Sequence, residues 1–338
     1  MRLRKIGLIV NPKSGQGAAR NLRIAQRLVQ ALRVETVLTG PGSLGGEAIA
    51  SAHILAVPSL TGRAASQAVA SAALQEGVDA LAVIGGDGTL SDIAFAIYQS
   101  GSNCPILGVG AGSINAGNLI TCKAAQVDNL NDCDFRVEQI NALETSYNGK
   151  AMALAFNDVV IGATIVGTVG VGYQDLDANA FMESRQVPGK PRPIGNDAAR
   201  VTKRSQRGEI LVSSGQSVGT VVAGFTHYEC FFGKAIIGGV GLSSVAGAPA
   251  GCVVCEQALV CTSLDLTEHL RTEPVHSAYV SLLNDDVIQV TGLDYPAVLC
   301  ADGNPLAALR PSDVSQIRIR PGAVNVLRIA AYGERTES

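Results

Sequence analysis

The chain has no tryptophan, three methionines and only seven tyrosines and seven phenylalanines in 338 residues. A surface that stacks unpaired bases on aromatic rings therefore has little to be built from. Charge is scarce as well, with 16% Asp, Glu, Lys and Arg and a net charge of −3, so no nucleic-acid partner is expected. Long apolar runs are also missing. The longest, Val159 to Gly172, is interrupted by Thr164 and Thr168 and falls short of the ~20 residues that cross a bilayer. The basic start Met1-Arg2-Leu3-Arg4-Lys5 is followed by an apolar run that stops at Asn11-Pro12, too short for an export signal. A soluble, cytoplasmic protein without a membrane span is expected. Its eight cysteines are scattered, which favours reduced thiols. The one close pair, Cys252 and Cys255, sits in an apolar run that reads as a buried strand, where positions three apart face opposite ways.

What is present is apolar material and glycine. Hydrophobic residues make 47% of the chain, enough for a large core, and 338 residues exceed twice the usual ~150-residue domain. Two domains are expected. The 38 glycines are roughly 11% of the chain against a usual ~7%. This excess needs a local explanation.

Ile6 to Val10 is a continuous apolar run ending in Asn11-Pro12-Lys13-Ser14-Gly15-Gln16-Gly17, which fits a strand buried on both faces followed by a glycine turn. Ala18 to Arg33 then takes helical spacing. The unit recurs: strand 54–57, helix 63–75, strand 80–84, helix 90–100 closed by Gly101, and strand 105–109. Strands alternating with helices predict a doubly wound, Rossmann-like α/β domain over residues 1–145. Beyond it, short apolar runs at 151–156, 159–166, 209–212, 218–225, 251–260, 278–283, 287–291, 297–300, 316–320 and 324–329 are separated by turn residues. They predict an all-β sandwich over 146–330, with 331–338 as a tail. Residues 184–207 carry seven cations and three prolines with little periodicity and read as a mobile loop. Its cations could fold over a polyphosphate as a lid, or the loop could simply be solvated.

Glycine turns at the carboxyl ends of parallel strands are where open α/β sheets bind anions, since backbone N–H groups converge there without side chains in the way. Three such turns occur, at 11–17, 85–89 and 108–115. Their common position predicts one anionic ligand shared among them, with Asn11, Pro12, Ser14, Gly15, Gly85, Gly86, Gly88, Thr89, Gly110, Gly112, Ser113 and Asn115 around it. Neither a Walker-type loop nor a dinucleotide oxidoreductase fingerprint is present. In Gly85-Gly86-Asp87-Gly88-Thr89 a carboxylate stands among the glycines. Beside phosphate it is repelled unless it binds Mg²⁺ or takes a proton from an attacking hydroxyl, which is a phosphoryl-transfer arrangement. The other reading of Asp87 is an Asp that hydrogen-bonds its own turn. The four histidines form no metal-spaced cluster, and no Gly-x-Ser-x-Gly elbow marks a hydrolase.

Gly85-Gly86-Asp87-Gly88-Thr89 resembles the signature shared by NAD kinases and diacylglycerol or sphingosine-type lipid kinases. Val10-Asn11-Pro12-Lys13-Ser14-Gly15 resembles their first-strand motif, and Pro105 to Asn115 their second glycine-rich nucleotide turn. Ala155 to Ile161 is similar to the NAD kinase segment whose Asn–acid pair, here Asn157 and Asp158, contacts the dinucleotide. Ala301-Asp302-Gly303-Asn304 and Ile319 to Leu327 resemble the closing strands of both branches. Within this superfamily the chain looks most like ATP-NAD kinase-related proteins of the acetoin-catabolism X type.

The resemblance implies an α/β domain paired with a β-sandwich, the NAD kinase/diacylglycerol kinase-like fold. It also implies ATP and Mg²⁺ in the interdomain cleft, and a homodimer or larger assembly. Asp87 would be the metal-linked residue or base, Gly85, Gly86, Gly88 and Thr89 the phosphate cradle, and Asn157 with Asp158 the nucleotide contacts. The implied reaction moves phosphate from ATP, or from polyphosphate, to the hydroxyl of NAD or a related compound. Lipid and small-metabolite kinases, and a regulatory protein that binds nucleotide without turnover, are the alternatives. Three family elements are absent. The Asp-Gly-x-x-Asp expected earlier in lipid kinases is replaced by Pro249-Ala250-Gly251-Cys252-Val253. The NAD kinase Thr-Gly and Thr-Ala-Tyr segment has no match near Gly239 to Ser244, and Asn304 stands where lipid kinases carry an acid after the late Asp-Gly.

Overall fold

Apolar runs in the first 110 residues form parallel strands because they are buried on both faces. The computed structural model describes residues 3–112, 115, 117–131, 133–169, 172–183, 185–190, 192–225, 243–256, 276–294 and 297–330. Strands β1 (Lys5–Val10), β2 (Thr36–Thr39), β3 (His53–Ile54), β4 (Ala80–Gly85) and β5 (Ile106–Gly110) lie in the spatial order β3-β2-β1-β4-β5. Helix α1 (Ala18–Leu32) buries Ile24, Ala25 and Leu28 against Ile6, Leu8, Val10, Ala82 and Ile84, the residues of one sheet face. It ends at Arg33, whose left-handed φ of 50° closes the last turn. Helix α2 (Gly62–Gln75) packs on β1 and beside α3 (Asp87–Ser100). Its alanines permit close approach: a Cβ at Gly7 would stand 2.7 Å from the Cβ of Ala73. A short strand β6 (Cys122–Lys123) adds to β5, followed by a 3₁₀ segment over Ala124–Leu130.

Two long strands, β7 (Phe135–Tyr147) and, near the end of the chain, a 16-residue strand over Val314–Ile329, each carry residues of both compact units. One unit runs to Asn141 and resumes at Gly322; the other is Ala142–Pro321. The chain therefore returns to its first unit at its end, where the expected β-domain had been drawn through to 330.

The second unit contains β8 (Lys150–Ala155), β9 (Asp158–Gly162), β10 (Thr164–Val169), β11 (Gly172–Asp177), α4 (Ala178–Met182), β12 (Arg200–Ser205), β13 (Gly208–Ser214) and β14 (Thr220–Phe225). It continues with β15 (Ala250–Cys255), β16 (Ser277–Leu282), β17 (Val287–Thr291), β18 (Ala297–Ala301), β19 (Asn304–Leu309) and the first half of the 16-residue strand, β20. Six strands form an antiparallel sheet in the order β16-β15-β14-β9-β18-β19, while β13, β12, β17 and β20 pair side by side. Alternation puts Ile161, Val221, Ala223, Cys252, Val254 and Leu299 of the first set into one core with Val201, Ile288, Val290, Ile317 and Ile319 of the second. The opposite face of the six-stranded sheet, with Val160, Val222 and Val298, is covered by Ile165, Leu176 and Ala178. Hairpin turns follow the residues that tolerate left-handed backbone: Asn148-Gly149 joins β7 to β8 and Asp302-Gly303 joins β18 to β19, all four with positive φ.

Three expectations change. The segment read as a mobile loop ends in β12, a strand paired on both sides. Its alternation, with Val201 buried and the cations outward or paired, is hidden by the charges. Lys203, one of the cations considered for a lid, is instead 2.8 Å from the Asp286 carboxylate, with both side chains largely buried, and donates to the Ser281 carbonyl at 2.7 Å. Arg204 faces Glu209. The runs at 316–320 and 324–329 are one strand: Pro321-Gly322, which reads as a turn, is accommodated by Gly322 at φ 56°, and its N–H is taken up by Asn141 Oδ1 at 2.9 Å. The strand at 54–57 shrinks to His53–Ile54. Cys252 and Cys255 do lie on a fully buried strand, and burial pushes the Cys252 thiol up to about 12. Among the described residues no helix is long and apolar enough to cross a membrane.

Candidate functional site

In the first unit the chain leaves β1 for β2 on one side and returns through α2 to β4 on the other. The strand order therefore reverses between β1 and β4, and at such a reversal a crevice opens at the carboxyl ends of the strands. The first two glycine turns leave from those two ends, and the third leaves from β5 alongside.

The first turn is held from below by its own helix. Asn21, fully buried on α1, donates through Nδ2 to the carbonyls of Asn11 (2.8 Å) and Ser14 (2.9 Å). Asn11 Oδ1 accepts from the Lys13 N–H at 2.9 Å, which folds the Asn-Pro-Lys corner. Asn11 also ties this turn to the second: its N–H donates to the Ile84 carbonyl (3.0 Å) and its Nδ2 to Thr89 Oγ1 (2.7 Å). Gly15, at φ 56°, lies so near the third turn that a Cβ there would come within 2.0 Å of the Ala111 carbonyl oxygen.

The second turn opens α3. Gly86 caps the helix, Asp87 is its first residue, and Gly88 and Thr89 continue it. The Gly85 carbonyl accepts from the Ala111 N–H at 2.7 Å, while a Cβ on Gly112 would meet the Gly86 Cα at 2.7 Å. Backbone thus lies against backbone, leaving no room for side chains between the second and third turns. In the third turn, beyond Gly110, Asn115 adopts a left-handed φ of 55° and clamps Gly112, accepting its N–H (2.7 Å) and donating to its carbonyl (2.6 Å). The Gly117 N–H then reaches across to Asp87 Oδ1 at 3.0 Å. Ser113 lies outside the described residues.

Every described residue of the three turns is thereby gathered in one place, with the first turns of α1 and α3 rising from it. Helix N-termini and side-chain-free amides suit an anion, and Asp87 supplies one carboxylate to it. Among the described residues no group of three or more His, Cys, Asp or Glu could hold a metal by itself.

Asn157 and Asp158 belong to the second unit. They form the corner between β8 and β9, and that corner is built on Asp302. Its carboxylate accepts the N–H groups of Phe156 (2.8 Å), Asn157 (2.9 Å) and Asp158 (3.2 Å), and its own N–H donates to the Asp158 carbonyl (3.0 Å). Asn157 Oδ1 is buried with no hydrogen-bond partner among the described residues. Replacing Asp302 by Ala strips three amides of their acceptor, each costing about 1 kcal/mol or more when buried, so a loss of about 3 kcal/mol is expected in denaturant unfolding. A loss below about 1 kcal/mol would refute the assignment.

Sequence reasoning missed Asn21, Gly117 and the role of Asp302. Asn21 had a readable signal, a lone amide among the apolar positions of α1. Asp302 stood in an Asp-Gly hairpin turn that was noticed only for its resemblance. Gly117 had no signal, because its partner is thirty residues away.

A family model described as the diacylglycerol kinase catalytic domain matches residues 5–144. An uncharacterized protein of Archaeoglobus fulgidus is 32% identical over 257 residues, covering 76% of each chain. Among solved structures, a diacylglycerol kinase from Bacillus anthracis str. Sterne is similar at a TM-score of 0.51 and 15% identity, over 98% of this chain and 99% of that one. Yeast NADH kinase complexed with NADH is similar at a TM-score of 0.51 and 12% identity, over 98% of this chain and 85% of that one. At those identities the two structures speak for the fold, which is the expected one. With the Archaeoglobus fulgidus relative matched across three quarters of its length and residues 5–144 similar to the diacylglycerol kinase catalytic domain model, the chain belongs to the family of that relative, within the NAD kinase/diacylglycerol kinase-like superfamily.

Proposed function

We propose that the protein is a kinase that binds a nucleoside triphosphate, ATP first among them, on the three glycine turns and passes its terminal phosphoryl group to a hydroxyl. The observation that carries this reading is the interlocking of the turns: Asn11 bonded to Thr89, Gly86 against Gly112, and Asp87 bonded to Gly117. Such a cradle offers N–H groups to phosphate oxygens and excludes side chains, and phosphoryl transfer needs positioning and charge neutralisation more than covalent chemistry.

The residues present fit Mg²⁺. A single carboxylate beside a phosphate cradle matches the usual Mg²⁺ arrangement, in which one or two carboxylates are completed by phosphate oxygens and water. Asp87 would hold it, and the bound ion would supply charge neutralisation between the phosphates. In the absence of that role, the same carboxylate is placed in the cradle to take the proton of an attacking hydroxyl.

For the acceptor we favour NAD. Asn157 Oδ1, buried and unpaired among the described residues, is an acceptor suited to a ribose hydroxyl or an amide N–H. A lipid alcohol is the second reading, favoured by the match to the diacylglycerol kinase catalytic domain. The test is ADP release from Mg·ATP by the purified protein with NAD, NADH or dispersed diacylglycerol, repeated with polyphosphate as donor. NADP formation is the expected result. Turnover with diacylglycerol alone would move the assignment to the lipid branch, and nucleotide binding without turnover on any acceptor would overturn the kinase reading.

A further inference from the structure

The last strand reaches back to the candidate site through one arginine. Arg328, on β20, donates through Nη1 to the Ile120 carbonyl at 2.7 Å and through Nη2 to the Asn118 carbonyl at 2.5 Å, while its Nε is held by the Glu138 carboxylate. The guanidinium is largely buried, and its planar fork presents donors in a fixed geometry that a lysine does not reproduce. The residue before it takes part too: the Leu327 carbonyl accepts from Thr121 Oγ1 at 2.7 Å, and Thr121 closes on Gly108 through its N–H (2.8 Å) and hydroxyl (3.0 Å). The other side of this segment is equally tight, since a Cβ at Gly108 would stand 2.1 Å from the Leu119 carbonyl oxygen. Residues 118–121 are thus gripped from both sides, and the residue at their head is Gly117, whose N–H bonds Asp87.

We infer that Arg328 is the positioning residue for Asp87: it fixes the carbonyls of Asn118 and Ile120, and so sets the Gly117 N–H that orients the carboxylate. All of these residues lie in the first unit. The inference rests on the kinase reading for its consequence in catalysis, but the anchoring itself does not depend on it. Nothing in the sequence around Arg328 marks this role, because its carbonyl partners are 208 and 210 residues earlier.

The test uses the full chain with Arg328→Met, Arg328→Lys and the milder Glu138→Gln, which keeps the side chain but weakens the hold on the guanidinium. Amide hydrogen exchange read residue by residue should show Gly117 accelerated by about tenfold or more in Arg328→Met, with β4 amides unchanged. Arg328→Lys should not restore protection, and Glu138→Gln should move it the same way by less. In turnover, kcat should fall by roughly tenfold to a hundredfold while the KM for ATP stays within about twofold, as expected when a reacting group is displaced but binding is not. Unchanged Gly117 exchange in Arg328→Met and Glu138→Gln would overturn the proposal, as would a KM increase with kcat intact. A wild-type protein that turns over no acceptor would remove the kinase reading, and Gly117 exchange would still decide the anchor.

Discussion

Replacing Asp87 by Asn is expected to lower ATP-dependent phosphoryl transfer by about a thousandfold while leaving the fold and the thermal midpoint nearly unchanged. The substitution is close to isosteric, and an Asn Oδ1 still accepts the Gly117 N–H that bonds Asp87 now at 3.0 Å. Only the charge is lost, and with it the ability to hold Mg²⁺ or to accept a proton. The two readings of Asp87 therefore separate cleanly. If the residue only shapes its own turn, Asn serves as well and the rate of ADP release stays within about twofold of wild type, which would remove Asp87 from the chemistry.

The second large effect concerns Gly15. An alanine there carries two independent costs. Its φ of 56° is left-handed, worth about 1–2 kcal/mol for a residue with a Cβ, and that Cβ would stand 2.0 Å from the Ala111 carbonyl oxygen. No rotamer can relieve the overlap, because the obstacle is backbone, so the first turn must move away from the third. Gly15→Ala should weaken ATP binding by at least about tenfold in calorimetric titration, since amides that converge on one anion no longer do so. Gly62→Ala is the matched control. Gly62 has a similar φ of 59° but nothing within 4 Å of its Cβ position, so only the conformational cost applies and ATP affinity should hold. Equal losses in the two variants would show that strain, and not the meeting of the turns, controls binding.

The first unit was legible because its strands are buried on both faces. Ile6 to Val10 and Ala80 to Ile84 are unbroken apolar runs, and each ends in a glycine turn that announces its own position. Convergence of the three turns also followed from pattern alone, since parallel strands put their carboxyl ends on one side. Beyond residue 130 the same logic found strands with one clear apolar face and missed those whose buried positions alternate with charge. β7, Phe-Arg-Val-Glu-Gln-Ile-Asn, exposes or half-exposes most of its first half, and β12, Arg-Val-Thr-Lys-Arg-Ser, hides one buried valine among cations. Lys203 reads as a solvated charge until Asp286 is placed beside it, and that pairing is a tertiary fact. Asp302 and Arg328 share the same limitation. Each acts on backbone groups of another segment, and backbone groups leave no trace in a residue pattern.

β20 also bears on how the protein is made. Its second half is the neighbour of β5, through Val326 beside Ile106 and through the Asn325 side chain, which donates to the Asn103 carbonyl. With β6 covering only Val109 and Gly110, a growing chain carries the edge of β5 beside Ile106 unpaired until Val326 has been made, after the whole of the second unit. An open strand edge of this kind is a template for pairing with other chains. The three glycine turns are encoded within the first 117 residues, yet the strand that pairs beside Ile106 is made only after the whole second unit.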